Sequence, residues 1–242
     1  MRAATDQDLQ KKRAVRAWVA YDWANSAYFT TIVAAVLPIF FVNVPGAHLG
    51  DDAASYWGFT QSAAMVVLVL LSPVLGALAD VSGSKKKLLA LFMAIGVLST
   101  ALYALVGEGQ IWFAVILTLL GVVGSSGANN FYDALLPGVA APEERDRVSA
   151  RGYAYGYLGG GLLLAVNLLM IQVPHWFGLA AGDTLGGTRL AFLSVALWWL
   201  VFSIPILRRV PETRPAAGMS AGTAVRLAFV RLGETMRRVR HY

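Results

Sequence analysis

The sequence contains no cysteine. That excludes a disulfide frame, a cysteine-ligated metal site and a thiol nucleophile. It is also poor in charge. Asp, Glu, Lys and Arg make up 14% of its 242 residues, where a soluble domain carries about 25%. Histidine is nearly missing. His48, His175 and His241 fall in loops or near the end of the chain, so an intramembrane Ser-His pair has no base. Gly124-Ser125-Ser126-Gly127 is not a Gly-x-Ser-x-Gly elbow, and neither a metal-ligand cluster nor a phosphate-cradling Gly-x-x-x-x-Gly-Lys loop is found. No enzyme, cofactor or metal is expected. The N-terminus lacks a short apolar run followed by a small-residue cleavage site. Lys11, Lys12, Arg13 and Arg16 lead straight into a full-length apolar segment, so the first helix is expected to be retained.

What fills the sequence is apolar: 57% of it is hydrophobic. Charge is absent between Asp22 and Asp51, Asp52 and Asp80, Lys87 and Glu108, Glu108 and Asp133, Arg151 and Asp183, and Arg189 and Arg208. A helix rises ~1.5 Å per residue and the hydrocarbon core is ~30 Å thick, so about 20 residues cross it. Each stretch is long enough, which predicts an all-α membrane protein with six spans. The expected organisation is an N-terminal segment (1–17), a six-helix bundle (18–210) and a linker (211–242). In the linker, Val225, Phe229, Leu232, Met236 and Val239 alternate with Arg226, Arg231, Arg237, Arg238 and Arg240, the pattern of a basic amphipathic helix on a membrane surface. The net charge of +6 does not call for nucleic acid. Nineteen of the twenty Lys and Arg lie before span one, after spans two and four, or from Arg208 onward. The positive-inside rule then places both termini in the cytoplasm of a multi-pass protein of the inner cell membrane.

Span one is expected from about Trp18 to Val44, with Trp18, Tyr21 and Trp23 at headgroup level and a kink at Pro38. Span four carries polar residues toward its end. Span five carries Gly152, Gly156 and Gly160 at a four-residue period, a ridge that lets two helix backbones approach closely. Span six, Leu190 to Leu207, reads as a support helix facing lipid. A short echo links Asp80-Val81-Ser82-Gly83 to the loop from Asp183 to Arg189. The two lie on opposite sides of the membrane, as an inverted 3+3 repeat would place them.

The anomaly in this apolar chain is Asp22. An acid in a membrane helix is costly and marks a function by default. Asp22, Asn25 and Ser26 share one face of span one by their spacing. Asn129 and Asn130 precede Asp133 by four and three residues and can share a face with it on span four. The two spans run in opposite directions, so both sets sit at similar depth and predict the walls of a polar cavity opening inward. The plainer readings are an interfacial Asp22 paired with Arg16, Asp133 paired with Arg147 or Arg151, and asparagines that only bond between helices.

Gly76-x-Leu78-Ala79-Asp80-x-x-Gly83-x-Lys85-Lys86 closely resembles the signature loop between helices two and three of the major facilitator superfamily. The resemblance implies that Asp80 latches onto a helix of a C-terminal half and helps hold the outward-open state. Tyr21-Asp22-Trp23-Ala24-Asn25-Ser26-Ala27-Tyr28, Asn130-Phe131-Tyr132-Asp133-Ala134-Leu135-Leu136-Pro137 and Arg147-Val148-Ser149-Ala150-Arg151-Gly152 look like helices one, four and five of the autophagy-related vacuolar effluxers and their bacterial relatives. That resemblance implies half of a twelve-helix secondary transporter working by alternating access. Its yeast members are linked to amino-acid release from the vacuole. The expected partners are the lipid bilayer, a small-molecule substrate and a second six-helix half. A cation-coupled sugar symporter is the alternative within transport, and a non-transporting six-helix scaffold the alternative outside it. Span four lacks the intramembrane arginine of many proton-driven exporters.

Overall fold

Six helices long and apolar enough to cross a membrane run through the computed structural model: Asp6–Asn43, Asp52–Ala79, Lys85–Leu105, Ile111–Val139, Pro142–Gln172 and Thr184–Arg209. These are spans one to six. The structure describes residues 2–81, 84–212, 220, 222–223, 225–227, 229–230 and 237. No strand occurs among the described residues. The amphipathic helix expected near residues 225–239 falls largely outside them.

Span one is longer than its apolar run. Its helix begins at Arg2 and continues from Ala27 into a π-helical segment, Tyr28–Val36, and then Leu37–Asn43. Leu37 N–H bonds the carbonyl of Ile32, five residues back. Pro38 follows immediately. It has no N–H to donate, and its ring crowds the carbonyl four residues before it. The widened turns ahead of it absorb that conflict.

Packing follows a simple rule. Span one packs against spans five and six, and span four packs against spans two and three. Spans three and six also meet, and spans five and six touch as well. Exchanging one with four, two with five and three with six turns the first set of contacts into the second. Because each unit holds three helices, the exchange reverses direction, giving the 3+3 inverted repeat of half a major facilitator fold.

Small residues let these pairs close. A Cβ on Gly124 of span four would overlap the backbone of Gly96 in span three, and a Cβ on Gly96 would lie 2.5 Å from the Trp199 ring of span six. Trp18, Trp199, Tyr21, Tyr103, Phe41 and Phe131 are fully buried. Two expectations are corrected here. Trp18 and Tyr21 fill the bundle core instead of lying at its edge. Span six is not merely a lipid-facing support, because Ala191, Val195, Trp199, Ser203 and Ile206 are buried in the bundle. A helix that is apolar all round hides which face is inside, since periodicity carries no signal there.

Short turns fix the helix ends. Gln110 Oε1 accepts from Gly107 N–H at 2.9 Å. Asp183 caps span six, accepting from Gly186 N–H at 2.8 Å. A carboxylate there satisfies one of the free N–H groups of the first turn.

Candidate functional site

Span one places its polar face against the glycine ridge of span five. A Cβ on Gly152 would lie 3.0 Å from Asp22 Oδ2 and 2.8 Å from the Trp18 ring. One on Gly156 would lie 2.5 Å from Ser26 Oγ and 3.3 Å from Asp22 Cγ. One on Gly160 would lie 2.7 Å from Thr30 Oγ1. The glycines therefore leave the room that the acid and the two hydroxyls occupy. Thr30 also donates to the Ser26 carbonyl at 3.0 Å, so its hydroxyl is satisfied within its own helix.

Asp22 is 8% exposed. Among the described residues its carboxylate makes no hydrogen bond and no ion pair, so Arg16 does not neutralise it. Tyr132 of span four packs against the same stretch of span one. Its ring stacks on Trp18 with centroids 4.2 Å apart and lies 4.8 Å from Tyr21. Trp18 Nε1 donates to the Tyr132 carbonyl at 3.2 Å. The Tyr132 hydroxyl is buried without a partner among the described residues, whereas the Tyr21 hydroxyl lies by the Trp199 side chain of span six. A buried polar group without a partner is costly. Asp22 Oδ2 and the Tyr132 hydroxyl face one point, 3.0 Å and 3.2 Å from where a Cβ on Gly152 would lie.

The amides meet directly. Asn25 Nδ2 donates to Asn129 Oδ1 at 2.6 Å, which joins spans one and four at that level instead of leaving open space between them. Asn25 Oδ1 is buried with no partner among the described residues. Asn130 is half-buried and Asp133 is exposed. Among the described residues neither side chain joins this contact, and Asp133 forms no ion pair. Arg147 instead approaches Glu144 at 3.9 Å, and the Arg151 guanidinium lies 5.6 Å from the Tyr155 ring centre. The structure thus brings together Asp22, Ser26, Gly152 and Gly156, joins Asn25 to Asn129, and leaves Asn130 and Asp133 at the rim.

The signature loop is partly visible. Lys85 Nζ donates to the Ala134 carbonyl at the end of span four, at 3.2 Å. Lys86 N–H donates to Glu212 Oε1 at 2.7 Å. A Cβ on Gly76 would meet nothing within 4 Å. Gly83 and the Asp80 side chain lie outside what is described.

Some polar residues escape sequence reasoning. Asn167 of span five is fully buried and accepts from Ser194 Oγ of span six at 2.6 Å. A lone amide inside an apolar span was its available signal. Tyr132 had none, since a tyrosine near a helix end reads as interfacial. Among the described residues no group of three His, Asp or Glu could hold a metal ion.

Comparison with known proteins agrees with this architecture. A family model described as "Vacuole effluxer Atg22 like" matches residues 45–242. A Bacillus subtilis protein named an uncharacterized MFS-type transporter, YxiO, is 35% identical over 233 residues, covering 93% of this chain and 52% of that protein. Autophagy-related protein 22 of Kluyveromyces lactis is 23% identical over 237 residues, covering 81% of this chain and 46% of the yeast protein. The chain thus spans about half the length of these curated relatives. No solved structure matches. On the family match and the Bacillus similarity together, the chain belongs to the Atg22-like vacuole effluxer family.

Proposed function

We propose that this chain forms the N-terminal half of a secondary active transporter that moves a small solute by alternating access. The observation that carries this reading is the Asp22 carboxylate, 8% exposed in span one and unpaired among the described residues. A structural acid would have acquired a counter-charge. One kept without a partner inside an apolar bundle is available to a cationic group that comes and goes. Asn25 and Asn129 lie beside it as neutral donors and acceptors. Amino acids suit this chemistry, with the ammonium on Asp22 and polar groups on the amides. The effluxer and transporter names of the relatives favour export.

In this reading a second six-helix half completes the path, and the termini lie in the cytoplasm of the cell membrane. Spans two and five, exchanged by the internal repeat, are the least buried spans. They display Phe59, Tyr157 and Leu158 at 74%, 75% and 66% exposure, surfaces for the missing half as well as for lipid. The test is efflux of a radiolabelled amino-acid mixture from vesicles holding the chain together with its complementing half. Asp22→Asn should lower the initial rate by at least about tenfold with the protein still folded. Export at the wild-type rate by that variant would sink the reading.

A further inference from the structure

The face that carries the N-terminus also carries a cleft, and its lining differs from the rest of that face. It has a volume of about 850 Å³ and is walled by the N-terminal helix, the start of span three, the end of span four and the end of span six. Lys11, Arg13, Lys86, Arg208 and Arg209 line it, and among the described residues none that lines it is acidic. Ala14, Val139 and Val210 form a buried apolar floor. Lys11 is already bound to Glu144 at 2.6 Å. The other four side chains form no ion pair among the described residues. Glu212 is the nearby acid, and its carboxylate accepts from the Lys86 backbone N–H.

The positive-inside rule accounts for many cations on one face. It does not account for their convergence on one concavity whose described lining holds no acid. The neighbouring cleft on the same face shows the difference. There Lys12, Arg16, Arg147 and Arg151 share the lining with Asp8 and Glu144, so cations and acids are interleaved. Two of the cleft's arginines, Arg208 and Arg209, end span six. That puts them where a membrane helix leaves the hydrocarbon, at headgroup depth.

We propose that this cleft binds a phosphate-bearing anion. Three guanidinium forks and an ammonium supply charge-assisted donors suited to tetrahedral oxyanions. The apolar floor leaves room for a glycerol or ribose backbone. The same chemistry serves an anionic phospholipid headgroup and a soluble phosphate compound, and the two are separable by experiment.

The full chain would be purified in mild detergent from membranes containing anionic phospholipid. Native mass spectrometry would score co-purified lipid, and inorganic pyrophosphate would be titrated by calorimetry. The combined variant Arg13→Gln, Arg208→Gln, Arg209→Gln would be compared with Arg16→Gln, Arg147→Gln, Arg151→Gln, which removes as many arginines from the same face outside the cleft. The expected result is about a tenfold loss of retained lipid, or of pyrophosphate affinity, in the cleft variant alone. Loss of lipid identifies a headgroup, and loss of pyrophosphate binding identifies a soluble ligand. Amine labelling of unmodified protein gives a measurement that needs no substitution: pyrophosphate or anionic lipid should protect Lys86 and leave Lys12 reactive. Equal losses in both variants, binding of neither anion, or equal protection of both lysines would overturn the proposal.

Discussion

Asp22 is a carboxylate held in the space that two glycines leave open. An unpaired acid at 8% exposure weakens the bundle unless something binds it. Asp22→Asn should therefore raise the stability of the substrate-free protein by about 1 kcal/mol, the opposite of what loss of a structural acid would do. A thermal melt in detergent reads the sign, and a lower midpoint would make Asp22 structural. The Asn25–Asn129 bond at 2.6 Å makes a different prediction. Each alanine replacement should cost about 1 kcal/mol, and the double replacement little more than either alone, because interhelical hydrogen bonds in membranes couple by about 0.6 kcal/mol and up to ~1.7. Fully additive losses would mean that the two amides stabilise their helices separately. At this scale the sequence was informative wherever chemistry was out of place. Asp22, Asn25 and Asn129 stood out because polar groups are rare in apolar spans. Their surroundings were not legible, because Trp18 and Tyr132 are ordinary residues for a membrane edge and only the fold turns them inward.

The elements were legible to different degrees. Gaps between charges outlined six spans, since a charge within hydrocarbon is costly and bounds each one. The spacing of Gly152, Gly156 and Gly160 marked a contact ridge, but not the helix it touches. A ridge says that some backbone comes close, and pairing is settled by the whole bundle. The π segment from Tyr28 to Val36 had Pro38 as its only sequence sign, and a proline predicts a bend without saying how the helix absorbs it. The span one–span five pair can be tested at its tightest point. A leucine at Gly156 would drive its side chain into Ser26 Oγ and the Asp22 backbone, where even a Cβ lies 2.5 Å and 3.3 Å away. Overpacking of this kind costs about 1–3 kcal/mol. Gly161 is the control, because a Cβ there meets nothing within 4 Å. Gly156→Leu should lower the melting midpoint clearly, and Gly161→Leu should leave it nearly unchanged. Equal shifts would mean that the ridge is not the contact surface.

For the molecule as a whole, the internal two-fold and the charge distribution bear on orientation in different ways. The repeat exchanges one side of the membrane with the other, so the packing alone does not say which side is inside. Charge distribution predicts the answer. In chain order, nineteen of the twenty Lys and Arg come before span one, after spans two and four, or from Arg208 onward, and only Arg189 falls in the loop before span six. The bias is carried by short segments next to the spans, where the positive-inside rule operates. The absence of cysteine makes the resulting orientation directly measurable, because any introduced thiol is the only one present. His48 lies exposed in the turn after span one, and Gln10 lies exposed on the N-terminal helix. His48→Cys should react with a membrane-impermeant maleimide on intact cells. Gln10→Cys should react only after the membrane is opened. Both positions are at the surface, so neither substitution disturbs the core and a failure to label reports location instead of burial. The reverse pattern would invert the molecule. It would also move the basic cleft to the outer leaflet.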